Sequence, residues 1–464
     1  AILPQIGLLV LGIIVLIVDL LLPEERRRNL GWITAGGLAL LAVLTGLFSR
    51  PGETTLIWGG MLRHDWLAFV FTLIVLTGAC LTALFAMDSE TINRRGEFYL
   101  LLLASTLGMS LMAGSADLVM LFLAIETTSI PLYAMAGFLV LDNKSTESGF
   151  KYLLFGATTS AVMLYGFSLL YGFSGTTQIY LIAEKMQSGG APLVSMLAVL
   201  LLIMVGFSFK ISAVPFHFWA PDVYEGSPTP VAGFLSTASK AAGFAVLIRF
   251  LLAVFPNTVT FPGLQNWWIA LLAAVSVATM LVGNLLALAQ KNIKRLLAYS
   301  SIAHAGYILI GVAAASSMGI SGAVYYLIAY LLTNLAAFGV VTVVSRVVGS
   351  DDVAAFAGLN RRAPGLSLIL VVALLSLGGI PPFGGFFAKV LVFTAAIQAN
   401  MVWLAAVGVI NSVIGLYYYL NILKVAYLYR SEQESRALPI TRPWTIALLA
   451  CTVGGVVLGT LIWP

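Results

Sequence analysis

Charge is what this 464-residue chain has least of: only 9% of residues are Asp, Glu, Lys or Arg. A soluble globular protein carries about 25%, so no water-exposed domain of ordinary composition can be built from this sequence. Cysteine is nearly missing too. Cys80 and Cys451 each stand alone in an apolar run, which excludes a metal or iron–sulfur site by spacing and reads as small buried filler. Long polar segments are lacking, leaving no room for a soluble catalytic domain. No basic n-region precedes residues 5–22, and Glu24 and Glu25 follow them, so a cleavable signal peptide is not expected. No strands are expected, and hence no Gly-rich nucleotide fingerprint on a strand–helix turn. The net charge of +5 does not suggest nucleic-acid binding, because most basic residues fall in short loops.

What is present is apolar. Sixty per cent of residues are hydrophobic and mean hydropathy is +1.01, the pattern of an integral membrane protein whose surroundings are the lipid bilayer. Windows of about 20 residues pick out spans near residues 4–22, 31–49, 65–86, 98–115, 118–140, 150–173, 192–219, 230–255, 266–289, 295–316, 320–346, 365–398, 402–428 and 443–462. The expected fold is therefore all-α and polytopic, with about fourteen transmembrane helices.

Loop charges test that count. Arg26, Arg27, Arg28, Arg94, Arg95, Lys144, Lys151, Lys291, Lys294, Arg295, Arg346, Arg361, Arg362, Arg430, Arg436 and Arg442 fall on one side; Arg50, Arg63 and Lys185 fall on the other. Sixteen against three is a strong positive-inside bias. It predicts an even number of spans and places both termini outside the cytoplasm.

Two spans look broken, the seventh at SAVPFHFWAPD and the twelfth at SLGGIPPFGGFFAK. Proline removes a backbone donor and glycine loosens the chain. Interrupted backbone at membrane depth survives only where protein or a water-filled cavity satisfies it. The breaks lie five helices apart. Five is odd, so helices 4–8 and 9–13 would form two inverted repeats, a transporter signature. The expected division is residues 1–97, a three-helix segment; 98–255 and 256–430, the two repeats; and 431–464, a final helix.

Ionisable residues inside such spans are costly and mark ion or proton pathways. Glu126 lies nine residues into span 5, roughly 13 Å deep at 1.5 Å per residue. Lys210 and Lys240 flank the first break, and Lys389 follows the second. Read from inside to outside the order is Lys210, Lys240, Lys389, three basic groups spread through the membrane. Burial favours the neutral form of each group and pairing favours the charged forms, so a Glu126–Lys210 pair would hold or release a proton according to its separation. Lysine suits this role because its affinity for the proton is adjustable, unlike arginine's. His217, beside the first break, and His304, in YSSIAHAGYILIG, are further candidate proton groups.

Each residue also has a plainer reading. Glu126 and Lys210 could form a static ion pair, Lys240 could be structural, Lys389 could snorkel outward, and His217 could donate to a freed carbonyl. His304 could simply be satisfied by its Ser and Tyr neighbours. Lys151, Arg249, Lys424 and Asp19 sit near span ends and read as interfacial.

The stretches VPFHFWAPDVYEGSPTPVAGFLSTASKAAGFAVLIRF, NIKRLLAYSSIAHAGYILIG and SLGGIPPFGGFFAKVLVF resemble subunit N of bacterial NADH–quinone oxidoreductase (respiratory complex I), an antiporter-like membrane subunit. The resemblance covers nearly the whole chain. Lysine at position 389 together with PDVYEGSPTP favours subunit N over subunits M and L and the related cation/proton antiporter subunits. It implies the same fourteen helices and broken helices seven and twelve. It implies Glu126 and Lys210 as a coupling pair, Lys240 as central relay and Lys389 as the outer group, with Lys151 modulating the pair. It also implies proton movement from cytoplasm to outside across the bacterial inner membrane, driven by electron transfer to quinone in other subunits. No cofactor is implied in this chain; quinone, FMN and iron–sulfur clusters belong to partner subunits, and the partners include other antiporter-like and small membrane subunits. The alternative expectation is a cation/proton antiporter subunit exchanging Na+ for H+ without NADH oxidation.

Overall fold

The computed structural model describes residues 1–89, 91–189, 193–255, 264–430 and 438–460. Thirteen helices among them are long and apolar enough to cross a membrane. The helices α1 (Leu3–Leu21), α2 (Asn29–Phe48), α3 (Trp66–Ala86), α4 (Gly96–Gly114), α5 (Leu118–Ala136) and α6 (Asn143–Ser174) match the first six expected spans. The seventh is split into α8 (Leu193–Ile211) and α9 (Trp219–Gly226), preceded by a short helix α7 (Ile179–Gly189). The eighth runs as α10 (Thr229–Phe234), a π-turn over Leu235–Ser239, and α11 (Lys240–Val254). Then come α12 (Leu264–Leu288), α13 (Ile293–Ala313) and α14 (Ser317–Val348). A short α15 (Leu359–Arg362) leads into the twelfth span, split into α16 (Pro364–Gly378) and α17 (Gly384–Gln398). The last two spans are α18 (Val402–Leu428) and α19 (Arg442–Thr460). Counting α16 with α17 as one broken span, the fourteen expected spans are all present, and the chain is a multi-pass membrane protein.

One expectation is corrected. A two-stranded antiparallel hairpin, β1 (Thr55–Ile57) and β2 (Leu62–His64), joins α2 to α3. Its turn needs left-handed backbone at Trp58, Gly59 and Gly60, and glycine supplies the last two of the three cheaply.

The chain packs as two compact units. One comprises residues 1–83, 94–219 and 238–271; the other comprises 84–93, 220–237 and 272–464. The division into inverted repeats at 98–255 and 256–430 is a separate matter of topology and stays a proposal. Its boundaries at 256 and 431, and Arg436 of the loop tally, lie outside the described residues.

In the first unit α4 packs along α5 and α6 along α8. Apolar burial drives helices together weakly in lipid, so close approach of small residues matters more. A Cβ at Gly108 of α4 would come 2.5 Å from the Thr128 backbone nitrogen of α5. In the second unit α14 is the central helix, packed on α13, α16, α17 and α19. There a Cβ at Gly283 of α12 would come 2.5 Å from the Ala303 nitrogen of α13. Both glycines let two backbones touch where any side chain would force them apart.

Candidate functional site

Both predicted breaks exist, and each is closed by its own side chains. In the first, α8 ends at Ile211, Ser212 turns left-handed (φ 59°) and the Val214–Pro215 peptide is cis. The Ala213 N–H donates to the Ser208 carbonyl at 2.8 Å. The Phe209 carbonyl accepts from the Ser212 N–H at 3.1 Å and from Trp219 Nε1 at 3.1 Å. A tryptophan thus serves one of the carbonyls that a helix end leaves open. His217 is buried beside Phe218 (ring centroids 4.5 Å apart); its Nδ1 has no hydrogen-bond partner, while the ring bonds the Pro215 backbone within the break, in keeping with its plainer reading as a donor to a freed carbonyl.

The second break shows a fuller closure. Gly379 (φ 83°) follows α16, its N–H donating to Ser376 O at 3.0 Å while the Ile380 N–H donates to Leu375 O at 3.0 Å. This is the bonding of a Schellman ending. It leaves the carbonyls of Leu377 and Gly378. Lys389, reaching back from α17, donates to both, at 3.0 and 2.9 Å, and to Ser412 Oγ at 2.7 Å. Ser376 Oγ in turn accepts from the Gly385 N–H at the start of α17, at 3.2 Å. Lys389 is only 6% exposed and does not snorkel.

Glu126, Lys210 and Lys240 belong to the first unit. Glu126 and Ser129 sit one turn apart on α5. Lys210 of α8, 7% exposed, donates to Ser129 Oγ at 2.9 Å. Glu126 Oε1 is buried without a hydrogen-bond partner. Between these positions and the helix end, Pro131 cannot donate to the Thr127 carbonyl, so α5 carries a loosened turn next to its carboxylate. Lys240, 1% exposed, opens α11 directly after the π-turn. A Cβ at Gly243, one turn further on, would lie 3.1 Å from Lys210 Cγ. Gly243 therefore lets the Lys210 stem lie against α11, and the two lysines occupy facing helices.

The π-turn has local causes in the second unit's residues. Ser236 and Thr237 both donate to the Gly233 carbonyl, at 2.8 and 2.7 Å, and Asn334 Nδ2 donates to Ser236 Oγ at 2.7 Å. Side-chain bonds of this kind compete with the α-helical ladder, and π-turns occur often at functional positions.

In the second unit a polar network runs through apolar helices. His304 of α13 pairs its Nδ1 with Tyr326 OH (2.7 Å) and its Nε2 with Tyr419 OH (3.1 Å). Tyr419 OH also bonds Ser300 Oγ. Adjacent Tyr418 donates to Asn284 Oδ1 at 3.0 Å, and Asn284 Nδ2 donates to Tyr307 OH at 3.0 Å. The Tyr307 ring lies 5.0 Å from Lys389 Nζ. Such networks are retained where every member is satisfied.

Arg249, expected to lie near an interface, is buried within the protein beside the ends of α3 and α4. Its side chain is only 3% exposed. Its Nη1 and Nη2 donate to the Asp65 carboxylate at 2.9 and 2.7 Å, Nη1 also donates to Tyr180 OH at 2.5 Å, and Nε donates to Ala113 O at 3.0 Å. Asp65 caps α3 as well, accepting from the Ala68 N–H at 2.9 Å. Burial of Asp65 disfavours its charge. The bonds and charge of Arg249, the Ala68 N–H and Arg63 outweigh that and hold its carboxyl below the usual carboxylate range. Lys151 pairs with Glu147 at 2.6 Å and is half-exposed, and Lys424 is exposed. Asp19 lies 3.5 Å from Arg27.

Residues 115–415 match the NADH:quinone oxidoreductase/Mrp antiporter transmembrane family. The chain is 40% identical over 456 residues to an NADH-quinone oxidoreductase subunit N of Moorella thermoacetica, covering 98% of this chain and 93% of the relative. It is 40% identical over 467 residues to a subunit N of Trichlorobacter lovleyi, covering 99% and 94%. The chain belongs to the NADH-quinone oxidoreductase subunit N family. Among solved structures, a chain of respiratory complex I from Thermus thermophilus superposes with a TM-score of 0.82 at 34% identity, covering 99% of this chain and 97% of that one. A chain of the Mrp complex of Dietzia superposes at 0.83 with 25% identity, covering 98% of this chain and 50% of that one.

Against that subunit N background, sequence reasoning missed Ser129, Ser412, Asn284 and the tyrosines that bond His304. The signal was faint. Polar residues at helical spacing, such as Asn411, Ser412, Tyr418 and Tyr419, mark one side of α18, but nothing local says which partner they meet.

Proposed function

We propose that this chain is a proton-translocating membrane subunit of an NADH–quinone oxidoreductase, and that Glu126, Lys210, Lys240 and Lys389 carry the proton steps. The observation that carries the reading is the setting of three lysines in apolar spans, each nearly sealed from the surface and each tied to a helix irregularity. Lys210 adjoins the first break, Lys240 the π-turn, and Lys389 bonds the second break. Charges so placed are expensive and are kept for transport.

In this reading Glu126 and Lys210 alternate between association and separation, Lys240 receives the proton, and the His304 network leads toward Lys389. His217 and Lys151 are accessory, the first loading the path and the second tuning the Glu126 charge. No redox step is assigned to this chain. Electron carriers and quinone belong to partner subunits, and other antiporter-like subunits lie beside it in the inner membrane, with both termini outside the cytoplasm. The similarity to a Thermus complex I chain over nearly the full length supports this assembly. An Na+/H+ exchanger draws on the fold shared with the Dietzia Mrp chain at 25% identity, against 40% for the subunit N relatives.

The test is Lys240→Ala in the assembled complex, reconstituted in liposomes and fed NADH and quinone. Loss of the proton gradient with intact assembly is the expected result. Normal pumping would remove the relay.

A further inference from the structure

The closure of the second break has a stoichiometry. Lys389 as an ammonium has three N–H donors and no acceptor. It meets three acceptors: Leu377 O, Gly378 O and Ser412 Oγ. Two of these belong to the backbone and can only accept. The third is a hydroxyl, which accepts and donates. Ser412 Oγ also lies 3.3 Å from Gly378 O, where its own proton is placed while Lys389 is charged. The hydroxyl proton therefore has two positions within reach, one on the carbonyl and one on the lysine nitrogen.

We propose that Ser412 is a positioning residue for proton transfer at Lys389, its hydroxyl accepting from the ammonium and turning to donate to the neutral amine. The inference rests on the reading of Lys389 as a proton carrier. When Lys389 loses a proton, one N–H bond of the ammonium breaks and that proton leaves to water. The amine keeps two donors for the Leu377 and Gly378 carbonyls, and its new lone pair receives the Ser412 O–H. Ser412 neither gains nor loses a proton. Both carbonyls of α16 stay capped in both states, so the break need not reopen each time the proton departs.

The geometry leaves little freedom for another arrangement. A Cβ at Gly379 would lie 2.9 Å from Lys389 Cδ and 3.1 Å from Nζ, so the lysine stem is held against the break. The titratable groups on elements packed around α17 are few. Tyr307 of α13 faces the ammonium through its ring. Beyond it stand His304 of the same helix, Tyr326 and Tyr330 of α14, and Tyr418 and Tyr419 of α18, tied into the histidine network. α16 contains no titratable side chain, and α19 carries Arg442 and Cys451, neither of which bonds the ammonium.

The experiment uses the whole complex in liposomes, recording NADH-driven pumping and quinone reduction across the alkaline range. Ser412→Ala, Ser412→Thr and Lys389→Met are compared with the parent. Ser412→Ala removes a partner from both forms of Lys389, but the bond to the ammonium is the stronger of the two, so the alkaline midpoint of pumping should fall by up to about one pH unit. Ser412→Thr keeps a hydroxyl and should keep the parent profile. An unshifted Ser412→Ala profile, with pumping abolished in Lys389→Met, would overturn the role of Ser412 and spare that of Lys389. Normal pumping by Lys389→Met would instead sink the proton-carrier reading beneath it. If Ser412→Ala fails to assemble, Ser412→Cys replaces it, a near-isosteric side chain with a weaker donor and acceptor. A downward shift there supports the proposal and a parent profile rejects it.

Discussion

Lys210 bonds Ser129, not Glu126: its ammonium lies 2.9 Å from the Ser129 hydroxyl, while Glu126 one turn away holds a buried oxygen with no hydrogen-bond partner. The lysine is thus parked on a neutral acceptor beside a carboxylate that attracts it. Removing Ser129 should push it toward Glu126. A hydrogen bond to a charged group contributes roughly 1.5–3 kcal/mol, about a tenfold bias or more in population. Ser129→Ala should therefore slow pumping several-fold without loss of assembly, and Ser129→Thr should restore it. Equal pumping rates in all three complexes would rule out Ser129 as an alternative partner.

His304 bonds two tyrosines in the second unit. His304→Phe leaves Tyr326 and Tyr419 each short of a partner, at a cost of about 1–3 kcal/mol per buried group. The expected outcome is a complex that assembles with a lower melting temperature and pumps poorly. Tyr326→Phe, which removes one bond and little volume, should lower pumping less. If His304→Phe pumps at the parent rate, the network is structural only.

Arg249 and Asp65 form a buried ion pair. Breaking such a pair from one side costs about 3–5 kcal/mol, because the remaining charge stays buried. Arg249→Met should impair assembly more than the double change Arg249→Met, Asp65→Asn, and comparison of complex yield and thermal stability checks it. Equal losses would mean that the charge is not what the site balances.

The same pair sets an acid limit. Folding depresses the Asp65 carboxyl, so its contribution is present above the unfolded carboxylate value, near 3.9, and is lost as pH falls through the lower folded value. Acid should weaken this pair only below the usual carboxylate range, and Asp65→Asn should abolish that part of the acid response. The acid unfolding curve of the Asp65→Asn complex, set against the parent, reads it directly.

The membrane spans were legible because lipid demands about 20 apolar residues per helix, a signal that survives any tertiary arrangement. The breaks were equally plain, since Pro and Gly at 213–221 and 376–385 act on local backbone. Other features depend on partners far away in sequence. Arg249 stands five residues from the end of α11, where an unpaired arginine would reach for water; the distant Asp65, Tyr180 and Ala113 carbonyl make its burial tolerable. The hairpin escaped because strands of three residues leave no periodicity to read. Ser129 and Ser412 were invisible because serine is common in helices of this kind, and only the neighbouring lysine gives either one meaning.

The π-turn ahead of Lys240 fits one more residue into its turn than an α-helix holds. Helical register is angular, at about 100° per residue, so that surplus residue turns every side chain after Ser239 by roughly this amount. Deleting one residue within Leu235–Ser239 would yield a smoother rod whose second half points the wrong way, carrying Lys240 off its present bearing and Gly243 off Lys210. The irregularity therefore works as an aiming device. A sequence change that improved the helix, judged by its own hydrogen bonds, would spoil the alignment of the two lysines.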